Sequence, residues 1–117
     1  MNLLETIFGK PAPSINPTEA QTRLKGVQPP IVIDVREPDE YQAGHIAGAK
    51  LIPLGQLARK MFELPKDRDI VCVCASGSRS NVATQQLLRA GYPAINLLGG
   101  MGGWQMAQLP IKKGGAK

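Results

Sequence analysis

An α/β fold, a mostly parallel sheet with helices on both faces, is the class this sequence predicts, and three observations carry it. Short β-branched runs alternate along the chain with segments of helical spacing. The strongest of these runs, residues 31–35 and 70–73, are apolar at nearly every position, the pattern of parallel strands covered on both sides. At 117 residues the chain is one domain, large enough for a single core.

Each element has its own signal. Residues 1–13 read as an N-terminal extension: a short amphipathic turn, then a linker that ends in Lys10-Pro11-Ala12-Pro13. A helix starts at Asn16-Pro17-Thr18-Glu19, with Asn16 as cap, Pro17 at the first helical position and Glu19 at the capping-box position. It runs to about Leu24, and Gln28-Pro29-Pro30 breaks the chain. Residues 31–35 form a strand that is apolar apart from Asp34. Pro38 opens a short helix ending at Gly44, and a brief strand follows around Lys50-Leu51-Ile52. Residues 55–62 are helical by spacing, with Leu54, Leu57, Met61 and Leu64 on one face.

Residues 70–73 are the central strand. Residues 80–90 form a helix with Val82, Leu87 and Leu88 turned inward and Gly91 as its stop. Residues 94–98 are the last strand, and a flexible turn over 99–103 leads to a short helix carrying Trp104. The expected organisation is thus an extension over 1–13, a domain over 14–110 and a basic flexible tail over 111–117.

Composition narrows the partners. The formal charge is +5, but Lys112, Lys113 and Lys117 supply three of those units at one end. The remainder is near balance, so no nucleic-acid surface is expected. A small anionic substrate or an acidic partner suits the mild positive excess. No segment approaches the length of a membrane span, and residues 1–8 lack the basic start and the length of a signal peptide. The expectation is a cytoplasmic protein without a membrane partner. Cys72 and Cys74, two positions apart on one strand, are badly placed for a disulfide and suit a reducing compartment.

The chemistry concentrates at Cys74. A buried strand delivers its sulfur to the carboxyl edge of the sheet, where open α/β folds place their sites. Ala75, Ser76, Gly77 and Ser78 are small enough to curl around it and aim backbone N–H groups at an anion. The following helix turns its positive end to the same point, and Arg79 adds a full charge. Several devices are needed together. Lowering a thiol from about 8.5 by about two units takes roughly 2.7 kcal/mol. A helix terminus supplies only about 0.3–1 kcal/mol of that. Cys72, inside the strand, reads as core.

These residues carry a resemblance. Cys74-Ala75-Ser76-Gly77-Ser78-Arg79-Ser80 resembles the active-site loop of the rhodanese-like sulfurtransferases. The block Asp34-Val35-Arg36 … Glu40-Tyr41 … Gly44-His45-Ile46-Ala47-Gly48-Ala49 resembles that family's D-V-R-x-x-x-E-Y-x-x-G-H-I-x-G-A pattern, and Gly99-Gly100 … Trp104 its closing G-G-x-x-x-W. In family order and spacing, the three blocks cover about residues 14–110.

The resemblance implies a five-stranded sheet and sulfur transfer by two displacements. Cys74 takes a sulfane sulfur from thiosulfate or a persulfide, holds it as a persulfide, and yields it to a thiophilic acceptor: cyanide in an assay, a thiol or protein cysteine in the cell. It implies no cofactor beyond that persulfide, and the sequence holds no His/Cys cluster at metal-ligand spacing, so no metal is expected. The partners are then a small anionic sulfur donor and a sulfur-acceptor protein, with the chain a monomer or weak homodimer. Residues 75–80 would bind substrate. Asp34 and Arg36, costly charges on an apolar strand unless paired, would form a structural network, or Arg36 would reach the substrate directly. His45 would fix its loop by hydrogen bonds. Trp104 would cap the core or wall the pocket.

Two rivals stand beside this reading. A cysteine phosphatase of the same fold has C-x-x-x-x-x-R, whereas four residues separate Cys74 from Arg79 here and Val73 stands where a histidine is usual. A non-catalytic interaction module of this family usually lacks the cysteine.

Overall fold

The computed structural model describes residue 3 and residues 12–115. The amphipathic turn expected within residues 1–10 lies outside them except for Leu3. Strand β1, Ser14–Ile15, leads into helix α1, Pro17–Leu24. The Asn16 side chain accepts from Glu19 N–H at 2.8 Å, and Pro17 occupies the first turn, where its missing N–H costs nothing. Strand β2, Ile31–Asp34, is followed by α2, Pro38–Ala43, and β3, Lys50–Leu51. The helical region expected over 55–62 is three short pieces: a 3-10 turn at Leu54–Gln56, α3 at Leu57–Lys60 and a second 3-10 turn at Met61–Glu63. Then come β4, Ile70–Val73, α4, Ser78–Arg89, β5, Ala94–Leu97, and α5, Gly100–Met106.

The five strands lie in the order β1-β5-β4-β2-β3, and every pairing is parallel. In register, Ile33 lies opposite Cys72 and Asp34 opposite Val73, and Val35 N–H continues the ladder to Val73 C=O. From β2 the chain steps outward to β3. From β4 it steps the other way to β5. The direction therefore reverses between β2 and β4, and a crevice opens at their carboxyl ends, where parallel sheets hold ligands. Asp34 and Arg36 leave β2 there, and Cys74 leaves β4.

Alternate strand residues feed two cores. Ile33, Ile70, Cys72 and Cys74 pack with Leu57, Met61, Leu64 and, from α4, Ala83 and Leu87. Val32, Val71, Val73 and Leu97 pack on the other face with Ala20, Tyr41, Met101 and Trp104. The shared face expected for Leu57, Met61 and Leu64 is buried as predicted, with Leu54 partly buried beside it.

Helix α4 corrects the sequence expectation twice. It begins at Ser78, two residues early, because Gly77 takes a left-handed conformation (φ +106°) that turns the chain straight into the helix. Its inward stripe is Ser80, Ala83, Thr84 and Leu87, while Val82 and Leu88 are exposed. The i, i+4 spacing of Ser80 and Thr84 sets that face. Both hydroxyls are satisfied, Thr84 by donating to Ser80 C=O at 2.7 Å.

The basic segment expected as a tail is partly tied down. Lys112 and His45 exchange backbone hydrogen bonds of 2.9 and 2.8 Å, and Gly114 N–H donates to Gln42 C=O. Among the described residues no helix is long and apolar enough to cross a membrane.

Candidate active site

Cys74 directly follows β4, with its side chain against the α4 face. Its Sγ accepts from Gly77 N–H at 3.1 Å and from Ser80 Oγ–H at 3.3 Å. Burial works against ionising this thiol. The Ser80 hydroxyl and the N–H groups of Ser80, Gly77 and Ser76 outweigh it, so the thiol lies below its ordinary value. At Cys72 the Thr84 hydroxyl offsets only part of the burial, which pushes that thiol up to about 12. The two cysteines thus differ, Cys74 eased toward the thiolate and Cys72 kept as a thiol. Ala75, Ser76 and Ser78 are exposed, so the loop opens to solvent beside a buried sulfur.

The loop is held from outside. Asn96 on β5 donates its Nδ2–H to Gly77 C=O at 3.2 Å, and its Oδ1 accepts from Ser80 Oγ at 2.6 Å. Met101 and Gly102, in the first turn of α5, donate to the carbonyls of Cys74 (2.8 Å) and Ala75 (3.0 Å). That approach demands glycine at 100. A Cβ there would lie 2.3 Å from Cys74 O, and the backbone has φ +56°. The segment expected as a flexible turn is therefore a clamp on the Cys74 loop.

Arg79 does not aim a free charge at the sulfur. Its Nη1 and Nη2 each bind one oxygen of Glu40, at 2.8 and 2.9 Å. That pair of hydrogen bonds from the guanidinium, against a burial cost, holds the Glu40 carboxyl down at about 2. The same partner raises Arg79 further above its usual range. Arg36 is buried. Its Nε and Nη2 bind Asp34 at 2.9 and 2.7 Å, and Nη2 also reaches Gly44 C=O at 2.8 Å. This is the structural network, and it commits those donors away from a substrate. Asp34 also accepts the Arg36 N–H.

His45 lies with Nδ1 2.8 Å from Tyr41 C=O, so that nitrogen carries the proton. Its ring stacks on Tyr41 at 3.7 Å, and Tyr41 Oη–H ties to Ala49 C=O. These contacts organise the α2–β3 turn. Trp104 is buried and donates to Pro110 C=O.

The structure brings the Cys74 sulfur and residues 75–80 together at the sheet edge, along with three supports that sequence reasoning missed. Asn96 was signalled only as a polar residue inside an apolar strand. Glu40 lay in plain view within a motif whose partner is 39 residues away. Gly100 was visible only as part of a glycine-rich turn.

Known proteins resemble this chain in sequence and fold. The description "Rhodanese-like domain" matches residues 16–107. A protein of Allochromatium vinosum named sulfurtransferase is 39% identical over 90 residues, covering 76% of this chain and 84% of its own length. A rhodanese-related protein of Thermoplasma volcanium superposes with a TM-score of 0.80 at 32% identity, over 86% of this chain and 97% of that one. A thiosulfate sulfurtransferase of Pseudomonas aeruginosa gives 0.84 at 31%, over 98% of this chain and 22% of that longer one. With the matched span running from the α1 cap through the α5 clamp, and the three sequence blocks meeting at one sheet edge, the chain belongs to the rhodanese-like domain family.

Proposed function

We propose that this protein is a sulfurtransferase that carries sulfur as a persulfide on Cys74. The observation that carries the reading is the Sγ of Cys74, held between the Gly77 N–H and the Ser80 hydroxyl at the open carboxyl edge of the sheet. Membership of the family and relatives named for sulfur transfer support a transferase. Thiosulfate or a persulfide as donor is the finer reading.

The chemistry balances with this chain's residues alone. With thiosulfate, the Cys74 thiolate attacks the outer sulfur, the S–S bond to the sulfonate breaks, and sulfite departs with the electron pair. Cys74 is left as a persulfide anion. A thiophilic acceptor, cyanide or a thiolate, attacks its terminal sulfur and regenerates the thiolate. The N–H donors that favour the thiolate are also available to the negative charge of a persulfide. The donors that favour the Cys74 thiolate take the place of a general base. His45, its Nδ1 proton given to a carbonyl, is not needed as one. Ser76, Gly77 and Ser80 serve as the anion cradle, and Ala75 and Ser78 shape its mouth. Arg36, Asp34 and His45 act through the frame.

A small sulfur donor and a sulfur-acceptor protein are the partners this implies, and a reducing compartment such as the cytoplasm suits a free thiolate. The test compares two serine variants. Cys74→Ser abolishes sulfur transfer, and Cys72→Ser keeps most of it. Transfer that survives in Cys74→Ser contradicts the reading.

A further inference from the structure

The charges around the loop occur in closed pairs. Asp34 and Arg36 form a buried pair beneath the site. At its rim Arg79, the second residue of α4, gives one guanidinium nitrogen to each oxygen of Glu40. Residues 74–80 hold no other cationic side chain. Glu40 is itself aimed, since Pro38 starts α2 and Oε1 accepts from Glu37 N–H at 3.0 Å. Its carboxylate is held in place before any ligand arrives.

This matters for the donor. Thiosulfate brings two negative charges to a thiolate that already carries one. A hydropersulfide, R–S–SH or its anion, brings none or one at the reacting end. Backbone N–H groups and one hydroxyl are enough for a single charge on sulfur. A sulfonate beside it gains most from a planar cation that binds two of its oxygens. The cation that the loop itself carries is engaged by a two-bond ion pair of the kind that gives arginine its strongest grip on an anion.

We propose that Glu40 is a specificity-determining residue of the site: by holding Arg79 in a two-bond ion pair it sets the protein to take sulfur from a hydropersulfide in preference to a dianionic donor such as thiosulfate. This rests on the sulfur-transfer reading above. The step is balanced. The Cys74 thiolate attacks the terminal sulfur of R–S–SH, the S–S bond breaks, and the thiolate R–S⁻ leaves with the electron pair. The proton stays on the new Cys74 hydropersulfide, and no oxidant or reductant enters. Freed of Glu40, Arg79 would offer its planar fork to the sulfonate oxygens.

The experiment measures the rate of loading one sulfur onto Cys74 by intact mass, with thiosulfate and separately with cysteine hydropersulfide. It uses the wild type, Glu40→Gln and the double variant Glu40→Gln/Arg79→Gln. Glutamine at 40 still accepts from Glu37 N–H, so α2 keeps its cap. In Glu40→Gln the thiosulfate-to-persulfide rate ratio rises by about tenfold or more, the scale of one new charged hydrogen bond. In the double variant, where a neutral pair replaces an ion pair, the ratio stays within about threefold of wild type.

An unchanged ratio in Glu40→Gln, with both donors still loading Cys74, overturns the proposal. So does a double variant whose ratio falls tenfold or more, because Arg79 would then serve the dianion despite Glu40. If Glu40→Gln fails to fold, the double variant decides alone. If neither donor loads wild-type Cys74, the sulfur-transfer reading itself falls, and this inference with it.

Discussion

Replacing Ser80 by alanine isolates one device that ionises Cys74. The hydroxyl lies 3.3 Å from Sγ, and a hydrogen bond to a charged group contributes about 1.5–3 kcal/mol. At 1.36 kcal/mol per unit, losing it would raise the thiol by about one to two units. The structure points to the lower end. Ser80 has one hydroxyl proton, and Asn96 Oδ1, at 2.6 Å, competes for it. Asn96 cannot turn its amide to relieve that competition without giving up its bond to Gly77 C=O. Gly77 N–H also continues to hold the sulfur in the variant. The expected shift is therefore about one unit upward.

The assay is the rate of alkylation by iodoacetamide as a function of pH. Cys72 stays silent, since burial pushes its thiol up to about 12. The midpoint moves up, and below both midpoints the rate falls about tenfold. Well above both midpoints the two proteins converge. A midpoint that stays in place or falls would refute the assignment of the Ser80 hydroxyl to the sulfur. The variant also leaves Asn96 Oδ1 without its donor, so it melts at a lower temperature, and alkylation is measured well below that transition.

Gly100→Ala drives a methyl to 2.3 Å from Cys74 O at a left-handed φ. The backbone conformation alone costs about 1–3 kcal/mol. Denaturant unfolding therefore shows a loss of stability together with slower alkylation of Cys74, and unchanged values of both contradict the clamp. Glu40, held down at about 2, contributes stability that is complete above its ordinary value near 4.5 and fades as pH falls toward 2. With the pair about a third exposed, solvent screening reduces that contribution to about 1 kcal/mol, and Glu40→Gln flattens this acid limb of the stability curve. A glycine inserted after Gly77 widens the ring of N–H donors, so the variant loses sulfur transfer and gains affinity for tungstate. Wild-type protein hydrolyses aryl phosphate negligibly, and efficient Cys74-dependent hydrolysis would replace the transferase reading with a phosphatase.

What the sequence made legible follows a physical division. β2 and β4 announce themselves because parallel strands covered on both faces must be apolar at consecutive positions. The Cys74 loop is readable because small residues between strand and helix have few other uses. β1, two residues long, carries no period to detect. The inward face of α4 was misread at Val82 and Leu88 because apolar residues were assumed to point in. The face is set instead by Ser80 and Thr84, whose hydroxyls are satisfied locally. Arg79 and Asn96 show the deeper limit. Each is visible as a residue type, but its partner lies on another element, and only the sheet order brings the two together. Arg79 read as a free cation until Glu40 was placed beside it.

The central claim is that Cys74 carries the sulfur. Its most direct measurement is the intact mass of the protein after treatment with a sulfur donor, followed by peptide mapping under non-reducing conditions. The account predicts one added sulfur atom, located on Cys74, lost on addition of cyanide with formation of thiocyanate, and absent from Cys74→Ser. Added sulfur on Cys72, or none with any donor while the protein is folded, would contradict it.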